Sequence, residues 1–360
     1  MIKFALIALT IIGIATSLVA RTIGKNIVSN YTTNYKVVYV FFLVLFTLCV
    51  LVYGLGENFP FVITKNMYKV VYIYFAFLFY AVILFSISRI ILFFVNFKYI
   101  YHISTGLIIV LVIFGNIMRH RIVIREYNIT TSKRLPKENL KIALVSDTHF
   151  GYIIDNDDME KLVKMLNNAQ VDMILFPGDF ADKEIDPLLE MDLFSKMKEI
   201  EAQYGTYLSL GNHDLFDIKV QMMVDSLREN KITVLRSEMV QIDNIIIAGK
   251  DWGSKDKLSD ILSVPNDETY NIYVYHEPRE DAIDEAKENG IDLMVAGHTH
   301  GGQMFPVNLI TRRLFPIDYG HKRFDKTDVI VSSGFGVWGP PVRIGSRSEM
   351  CIIHLRYVED

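Results

Sequence analysis

The chain has 360 residues, a formal net charge of −4 and only two cysteines, Cys49 and Cys351. Two cysteines exclude the disulfide framework of a small secreted domain, and a net negative charge argues against nucleic acid as a general partner, because phosphate backbones require basic surfaces. Charge and hydropathy are unevenly distributed: residues 1–126 are apolar and basic, whereas residues 127–360 are acidic. We therefore predict two domains, 1–126 and 127–360.

Four long apolar runs fill the first domain, at about residues 4–20, 37–55, 70–95 and 103–117. The second and third reach the roughly 20 residues that cross a bilayer, whereas the first and fourth are shorter. The first run alone is similar to a signal peptide, but three further runs favour an uncleaved multi-pass anchor. We predict an N-terminal bundle of about four transmembrane helices, with three or five as alternatives.

Five short apolar runs in the second domain are typical of β-strands, and polar residues follow each of them. The runs are KIALVS, MILFP, TYLSL, NIYVY and DLMVA, and the residues after them are, in order, Asp147 and His149; Asp179; Asn212, His213 and Asp214; His276; and His298 and His300. Sites in open α/β sheets are built at the carboxyl ends of the strands. Carboxylate, amide and imidazole ligands suit Mn²⁺, Fe or Zn²⁺. The pattern predicts a metal site at one edge of a sheet.

Helical stretches alternate with these strands, at residues 157–168, 188–200, 220–229 and 279–288. Strands without long helices between them are predicted near residues 233–249 and 329–355. Alternation followed by β-rich sequence indicates an α/β fold in which a pair of mixed sheets has helices outside.

The five clusters, in this order, resemble the metal-binding motifs of the calcineurin-like metallophosphoesterases, and the resemblance covers about residues 140–355. It implies an α/β fold, more closely a four-layer α/β/β/α sandwich, and two divalent metal ions, Mn²⁺ first with Fe or Zn²⁺ as alternatives. Such a pair of cations clamps the attacking and leaving oxygens of a displacement at phosphorus. By this resemblance, the ligands of one metal would be Asp147, His149 and His300, those of the other Asn212, His276 and His298, and Asp179 would bridge both.

The same resemblance implies that His213 protonates the leaving-group oxygen while Asp214 holds the far nitrogen of its ring. Taken singly, His276 could be a structural histidine, Asn212 a turn residue and Asp214 a helix N-cap; the companion clusters favour the metal site. We expect Asp182 and Asp186 to cap the next helix rather than to join that site.

The closing segment, residues 332–345, resembles the membrane-associated bacterial branch of this family. This resemblance implies a multi-pass protein of the bacterial inner membrane. Arg119, Arg121 and Arg125 directly follow the fourth apolar run, and positively charged loops tend to stay inside. We therefore expect the catalytic domain to face the cytoplasm, although a different number of spans would reverse this prediction.

A catalytic domain joined so closely to a membrane segment favours a lipid or lipid-linked phosphate substrate, hydrolysed at a phosphoester or pyrophosphate bond. Some members of the family cleave UDP-2,3-diacylglucosamine, which is the most specific expectation. Soluble cyclic nucleotides, or a membrane sensor or scaffold that only binds, are the alternatives. Residues 303–325, predicted to form an irregular loop, mix apolar and basic side chains, which fits contact with membrane lipids and ordinary packing equally well. Neither nucleic acid nor an obligate protein partner is expected.

Overall fold

The structure, a computed structural model, describes residues 2–31, 34, 36–55, 59–262 and 268–359. The chain folds into two compact units, Met1–Ile117 with Gly339–Val342, and Met118–Trp338 with Arg343–Asp360. The first strand of the second unit begins at Val123 and so crosses the position between residues 126 and 127 where the domain boundary was placed. The division into two independent domains stays a prediction.

The first unit is helical, and each of the four apolar runs forms a helix. These are α1 (Ile2–Asn26), α2 (Lys36–Leu55), α3 (Phe61–Phe94) and α4 (Ile100–Arg119). Among the described residues, three stretches are long and apolar enough to cross a membrane: Ile7–Asn30, Phe61–Phe94 and Ile100–Arg119. Helix α2 also has 20 residues, and the part of it with described side chains, Lys36–Val52, forms a shorter apolar stretch.

The lengths predicted for two of the runs need a correction. The first and fourth runs, predicted to be shorter than a span, belong to helices of 25 and 20 residues, because α1 and α4 continue into the residues that flank each run. The second run, predicted to be long enough, forms α2, which also has 20 residues. Among the residues whose side chains are described, three helices meet both the length and the hydropathy of a span, and a fourth span at α2 stays a prediction.

The second unit alternates strands with helices. Its strands are β1 (Val123–Thr131), β2 (Asn139–Leu144), β3 (Met173–Pro177), β4 (Thr206–Ser209), β5 (Ile232–Val234), β6 (Glu238–Ile242), β7 (Ile245–Gly249), β8 (Tyr270–Val274), β9 (Leu293–Ala296), β10 (Gly320–Phe324), β11 (Thr327–Val331) and β12 (Glu349–Tyr357). Its helices are α5 (Asn156–Ala169), α6 (Asp186–Glu190), α7 (Leu193–Lys196), α8 (Val220–Glu229), α9 (Leu258–Ile261), α10 (Glu280–Glu288) and α11 (Asn308–Leu314).

These strands form two mixed sheets of six strands each within the described part of the chain. The first has the order β1-β12-β2-β3-β4-β5 and the second the order β10-β11-β9-β8-β7-β6. Strands β2 to β5 run parallel to one another, as do β7, β8, β9 and β11. The parallel strands of each sheet thus end on one side, where the predicted ligands follow them.

The main core lies between the two sheets. Leu144 and Leu175 of the first sheet form one buried cluster with Ile247 and Val295 of the second, and burying each such side chain contributes about 1.5–3 kcal/mol. A second cluster joins the outer face of the second sheet to Ile283 of α10. Helices α5 and α8 also bury one apolar face each. This arrangement confirms the predicted α/β/β/α sandwich.

Two predicted segments differ from the structure. The helix expected over residues 188–200 is divided into α6, α7 and a short 3₁₀ turn, because Asp192 adopts a left-handed conformation with φ of 49°. The segment 303–325, expected to be irregular, contains α11 and β10.

Candidate metal centre

The predicted ligands follow β2, β3 and β4 in the first sheet and β8 and β9 in the second. Two contacts join these strand ends across the sandwich. The ring Nδ1 of His276 donates to the main-chain oxygen of Pro177 at 2.9 Å, and the main-chain N–H of His298 donates to both carboxylate oxygens of Asp147 at 3.0 Å. The carboxyl ends of both sheets therefore build one site.

One group of donors consists of Asp147, His149 and His300, all of them buried. The Nε2 atoms of His149 and His300 lie 3.0 Å apart, and His300 Nε2 lies 3.3 Å from Asp147 Oδ1. Asp179 Oδ2 is 3.7 Å from His149 Nε2. These atoms are close enough together to bind a single ion.

The second group consists of Asn212, His276 and His298. Asn212 Oδ1 lies 3.1 Å from His276 Nε2 and 3.0 Å from His298 Nδ1, and Asp179 Oδ2 lies 3.1 Å from His276 Nε2. The carboxylate of Asp179 thus faces both groups. The structure brings together all seven side chains in the two sets that the family resemblance implies, and their role as ligands stays a prediction.

The second group needs a cation. Because His276 Nδ1 donates to Pro177, a neutral ring would point the lone pair of Nε2 at the oxygens of Asp179 and Asn212, which is a repulsive arrangement. Burial alone would lower the pKa of His276, but the charge of Asp179 raises this pKa to about 10. A proton or a metal ion relieves the same conflict, and oxygen and imidazole donors without thiolate suit Mn²⁺, Fe or Zn²⁺. The residues present therefore fit a divalent metal.

Five of the seven predicted ligands adopt a left-handed backbone conformation. Their φ angles are 53° at Asp147, 48° at His149, 54° at Asp179, 72° at His298 and 51° at His300. Residues with a Cβ rarely occupy this region, and each such residue costs about 1–2 kcal/mol. Positive φ at successive strand ends turns the chain sharply and directs these side chains into one volume. Backbone strain is thus concentrated at the candidate site.

Glycines leave room for the ligands where two strand ends approach closely. A Cβ on Gly211 would lie 2.1 Å from Asp179 Oδ1, and one on Gly297 would lie 2.1 Å from Asp147 Oδ2. Neither glycine has positive φ, so close approach, and not backbone conformation, requires glycine at both positions.

His213 lies beside the first group. Its ring stands edge-on to that of His149, with 4.6 Å between the centroids, and its Nδ1 donates to the main-chain oxygen of Asp182. Burial alone would lower the pKa of His213, but its contacts with Asp182 and Asp179 raise it to about 9. A protonated ring at the edge of the site suits the acid role that the resemblance implies.

The predicted contact between Asp214 and the His213 ring is wrong. Asp214 Oδ1 accepts a hydrogen bond from the Ala181 N–H at 2.8 Å, and Oδ2 accepts one from the Gly211 N–H at 2.9 Å. Asp214 therefore joins the loops after β3 and β4. Burial, followed by the charge of Asp179, raises its pKa to about 6. The ring of His213 turns instead toward Asp182, which lies in the neighbouring loop.

Asp182 was expected to cap a helix, and the structure places it in the site. Its Oδ1 lies 3.4 Å from His149 Nδ1 and 3.6 Å from His213 Nδ1, whereas the N-cap of α6 is Ile185. Burial would raise the pKa of Asp182, but its contacts with both histidines lower it to about 2. The sequence does contain one sign that Asp182 belongs to the site, because Asp182 lies only three residues after Asp179, in the same loop.

Glu277, the residue after His276, contacts a predicted ligand, and it was not predicted from the sequence as part of the site. Its Oε1 lies 3.3 Å from His298 Nε2 and 2.7 Å from Arg279 Nε, and its Oε2 accepts a hydrogen bond from the Trp252 indole at 2.8 Å. A carboxylate on the far nitrogen of a metal-binding histidine fixes the ring and its tautomer. Glu277 thus orients His298.

Arg343, in the segment 332–345, is the largest fully buried side chain among the described residues. It donates hydrogen bonds to the main-chain oxygens of His300, Gly334 and Gly336 at 3.0, 3.1 and 2.6 Å and to Ser346 Oγ at 3.0 Å. Burial lowers its pKa to about 10. Carbonyl oxygens, and not a carboxylate, hold this guanidinium, and it fastens the segment behind His300. The role of Arg343 could not be predicted from the sequence, because most of the atoms that it contacts are main-chain oxygens.

Comparisons with known proteins agree with this geometry. The family model of the calcineurin-like phosphoesterases matches residues 140–302. An uncharacterized metallophosphoesterase of Aquifex aeolicus is 32% identical over 248 residues, which cover 65% of this chain and 91% of that protein.

Two longer relatives extend beyond the matched region. An uncharacterized metallophosphoesterase of Helicobacter pylori is 30% identical over 231 residues, 62% of this chain and 61% of that protein. A transmembrane protein with metallophosphoesterase domain from Danio rerio is 28% identical over 244 residues, 62% of this chain and 55% of that protein. The chain thus spans about three fifths of the Helicobacter relative and just over half of the Danio one. Together with the Aquifex relative, these matches show that the chain belongs to the calcineurin-like metallophosphoesterases.

Proposed function

We propose that this protein is a metal-dependent phosphohydrolase that cleaves a phosphoester or pyrophosphate bond in a lipid or lipid-linked molecule at a membrane. The observation that carries the proposal is the convergence of two donor groups on Asp179, with His213 beside them. A single structural histidine or carboxylate would not require this arrangement.

The chain's own residues divide the work of such a reaction. Asp147, His149 and His300 would hold one divalent metal, Asn212, His276 and His298 the other, and Asp179 both. When bound, the two ions would polarise the phosphoryl oxygens and stabilise the charge that develops in the transition state. Mn²⁺ is the proposed ion, with Fe or Zn²⁺ as alternatives.

His213 would deliver the proton. The Asp182 main-chain oxygen holds its Nδ1, which leaves Nε2 as the nitrogen that can face a leaving-group oxygen. Positioned acids of this kind contribute about 10²–10⁴-fold to a rate. In this proposal Asp214 acts indirectly, by fixing the loops that carry Ala181 and Gly211.

Two exposed aromatic rings beside His213 support an amphiphilic substrate. The Phe216 ring is 5.0 Å and the Trp338 ring 6.4 Å from the His213 ring, centroid to centroid. Phe216 is 48% exposed and Trp338 51%, so both can contact a ligand. An apolar rim on the leaving-group side suits an acylated molecule, and UDP-2,3-diacylglucosamine is the most specific candidate.

Helix α11 supports a role for membrane lipids as partners. Leu309, Ile310 and Leu314 are 52%, 55% and 70% exposed, and Arg312 and Arg313 lie among them. Exposed aliphatic side chains next to cations suit the boundary between acyl chains and anionic headgroups.

For the location, we propose the inner membrane of a bacterial cell, with several spans and the catalytic unit in the cytoplasm. Arg119 at the end of α4 and Arg121 and Arg125 just after it support this orientation. A reporter fused after residue 360 that fluoresces only in the cytoplasm tests it; a dark fusion together with an active periplasmic reporter would overturn it.

The function itself is tested with Asp179→Asn and a matched control, Asp186→Asn, which changes an exposed carboxylate paired with Lys219. Wild type and control should contain about two metal ions per chain and hydrolyse bis(4-nitrophenyl) phosphate with Mn²⁺. Asp179→Asn should lose metal and activity. Full metal content and turnover in that variant would refute the proposal.

The acid role of His213 has its own test. His213→Ala should keep its metals but lose about 10²–10⁴-fold in turnover on an alkyl ester, and much less on nitrophenyl esters, whose leaving group needs no proton. Equal losses on both would contradict the role. Comparison of lipid extracts from cells with and without the protein then tests the substrate class.

A further inference from the structure

A cavity of about 490 Å³ adjoins the second donor group. It lies between the loop that follows β7 and the beginning of α10, and its walls include Trp252, Lys255, Lys257, Glu277 and Arg279. Small-molecule sites in proteins have volumes of about 300–1,000 Å³. The cavity is thus large enough for one substituent of a substrate.

Glu277 connects the cavity to the metal centre. This buried carboxylate accepts the indole N–H of Trp252 and pairs with Arg279, both of which line the cavity. It also lies 3.3 Å from the Nε2 of His298. A group bound in the cavity would therefore lie one side chain away from a predicted metal ligand.

Four cations line the cavity, and two of them form ion pairs within the lining. Lys250 pairs with Glu285 at 2.7 Å, and Arg279 pairs with Glu277 through its Nε. The Arg279 side chain is mostly exposed.

Lys255 and Lys257 are exposed and form no ion pair within the described residues. The two other acids of the lining are engaged locally: Asp256 accepts a hydrogen bond from the Ser254 hydroxyl, and Asp281 accepts one from the Ala282 N–H. These two aspartates keep their negative charge, so the four cations and four carboxylates of the lining balance. Lys255 and Lys257 nevertheless have no ion-pair partner among the described residues and can donate charge-assisted hydrogen bonds, which are strong, to an anion.

We propose that this cavity binds a second anionic group of the substrate, a phosphate or carboxylate carried by the substituent that remains on phosphorus. This inference rests on the proposed function, because the acid His213 defines the leaving-group side. His213 contacts the first donor group and Glu277 the second, with Asp179 between them. The retained substituent therefore points toward Glu277 and the cavity.

The test uses the double variant Lys255→Ala/Lys257→Ala. Its control is Lys164→Ala/Lys198→Ala, which removes two exposed lysines that do not line the cavity. The first readout is binding alone. The chain has two tryptophans, so a Trp338→Phe background leaves Trp252 as the single reporter. In metal-free buffer with EDTA, inorganic pyrophosphate should change Trp252 fluorescence saturably. The Lys255→Ala/Lys257→Ala variant should bind pyrophosphate at least about tenfold more weakly than the Trp338→Phe protein does. The Lys164→Ala/Lys198→Ala control should bind pyrophosphate as tightly as the Trp338→Phe protein.

The second readout separates this inference from the proposed function. On a 4-nitrophenyl diester whose other substituent carries a phosphate, the double variant should lose about tenfold or more in kcat/KM, with no loss on bis(4-nitrophenyl) phosphate. If neither the wild type nor any variant hydrolyses either diester, the proposed function fails, while the fluorescence titration still tests the cavity. The absence of a saturable fluorescence change, or equal weakening in the control, would overturn the inference.

Discussion

Gly211→Ala tests whether the close approach of the loops after β3 and β4 sets the geometry of the centre. The added Cβ would lie 2.1 Å from Asp179 Oδ1 and 2.4 Å from Asp179 N. Real Cβ atoms keep at least 3.0 Å from such neighbours, so the carboxylate must move by at least 3.0 − 2.1 = 0.9 Å. The second clash is with main-chain nitrogen, so rotation of the Asp179 side chain cannot relieve the whole of it.

A misplacement of about 1 Å costs a catalytic site about 10²-fold in rate. We expect Gly211→Ala to lose at least that much turnover on bis(4-nitrophenyl) phosphate and to bind less than its full complement of metal. The far-ultraviolet circular dichroism should be unchanged, since the clash is local. Elemental analysis of the purified protein measures the metal.

The control is Gly106→Ala, in α4, where an added Cβ would meet nothing within 4 Å. It should retain metal and activity. Wild-type metal content and turnover in Gly211→Ala would show that the two loops can separate freely. Their spacing would then not fix the position of Asp179.

Three further predictions concern other parts of the molecule. Arg343→Met should lower the melting temperature measured with EDTA present, because buried carbonyl groups lose their donor at a cost of about 1–3 kcal/mol each; Arg343→Lys should recover only part of this loss. Asp214→Asn removes one of two acceptors and should likewise destabilise the protein by about 1–3 kcal/mol in urea unfolding. Its turnover should fall equally for good and poor leaving groups, whereas a loss confined to poor ones would restore the orienting role. Alkaline carbonate should leave the full chain in the membrane pellet, because apolar spans hold it there; release into the supernatant would contradict the spans.

The sequence predicted the members of the metal centre because their positions follow from local pattern. Each lies directly after an apolar strand, and parallel strands end on one side of a sheet. That reasoning places Asp147 and Asp179 together at one edge of the first sheet; His276 follows a strand of the second sheet, and the family resemblance brought it into the same site. The alternation of strands and helices likewise predicted a pair of mixed sheets with helices outside, and the resemblance made this a four-layer sandwich.

Partners that act across the fold could not be predicted in this way. Asp182 and Asp214 compete for the same histidine, and only the relative positions of two loops decide that Asp182 faces it. Arg343 binds main-chain oxygens, which carry no side-chain signature. The lengths of α1 and α4 were underestimated for a different reason: both helices continue past their apolar runs, and run length does not fix helix length.

The order of strands in the first sheet has a consequence for biosynthesis. Strand β12 lies between β1 and β2 and pairs with both, yet it begins 349 − 123 = 226 residues after β1. At a translation rate of about 5–20 residues per second, β1 waits roughly 11–45 s for its partner. The helices that precede it can enter a membrane during that time, while the edge of the unfinished sheet stays open to other chains. A cell that makes this protein must therefore protect a nascent β-strand, close in sequence to the apolar helices, until the last strand arrives.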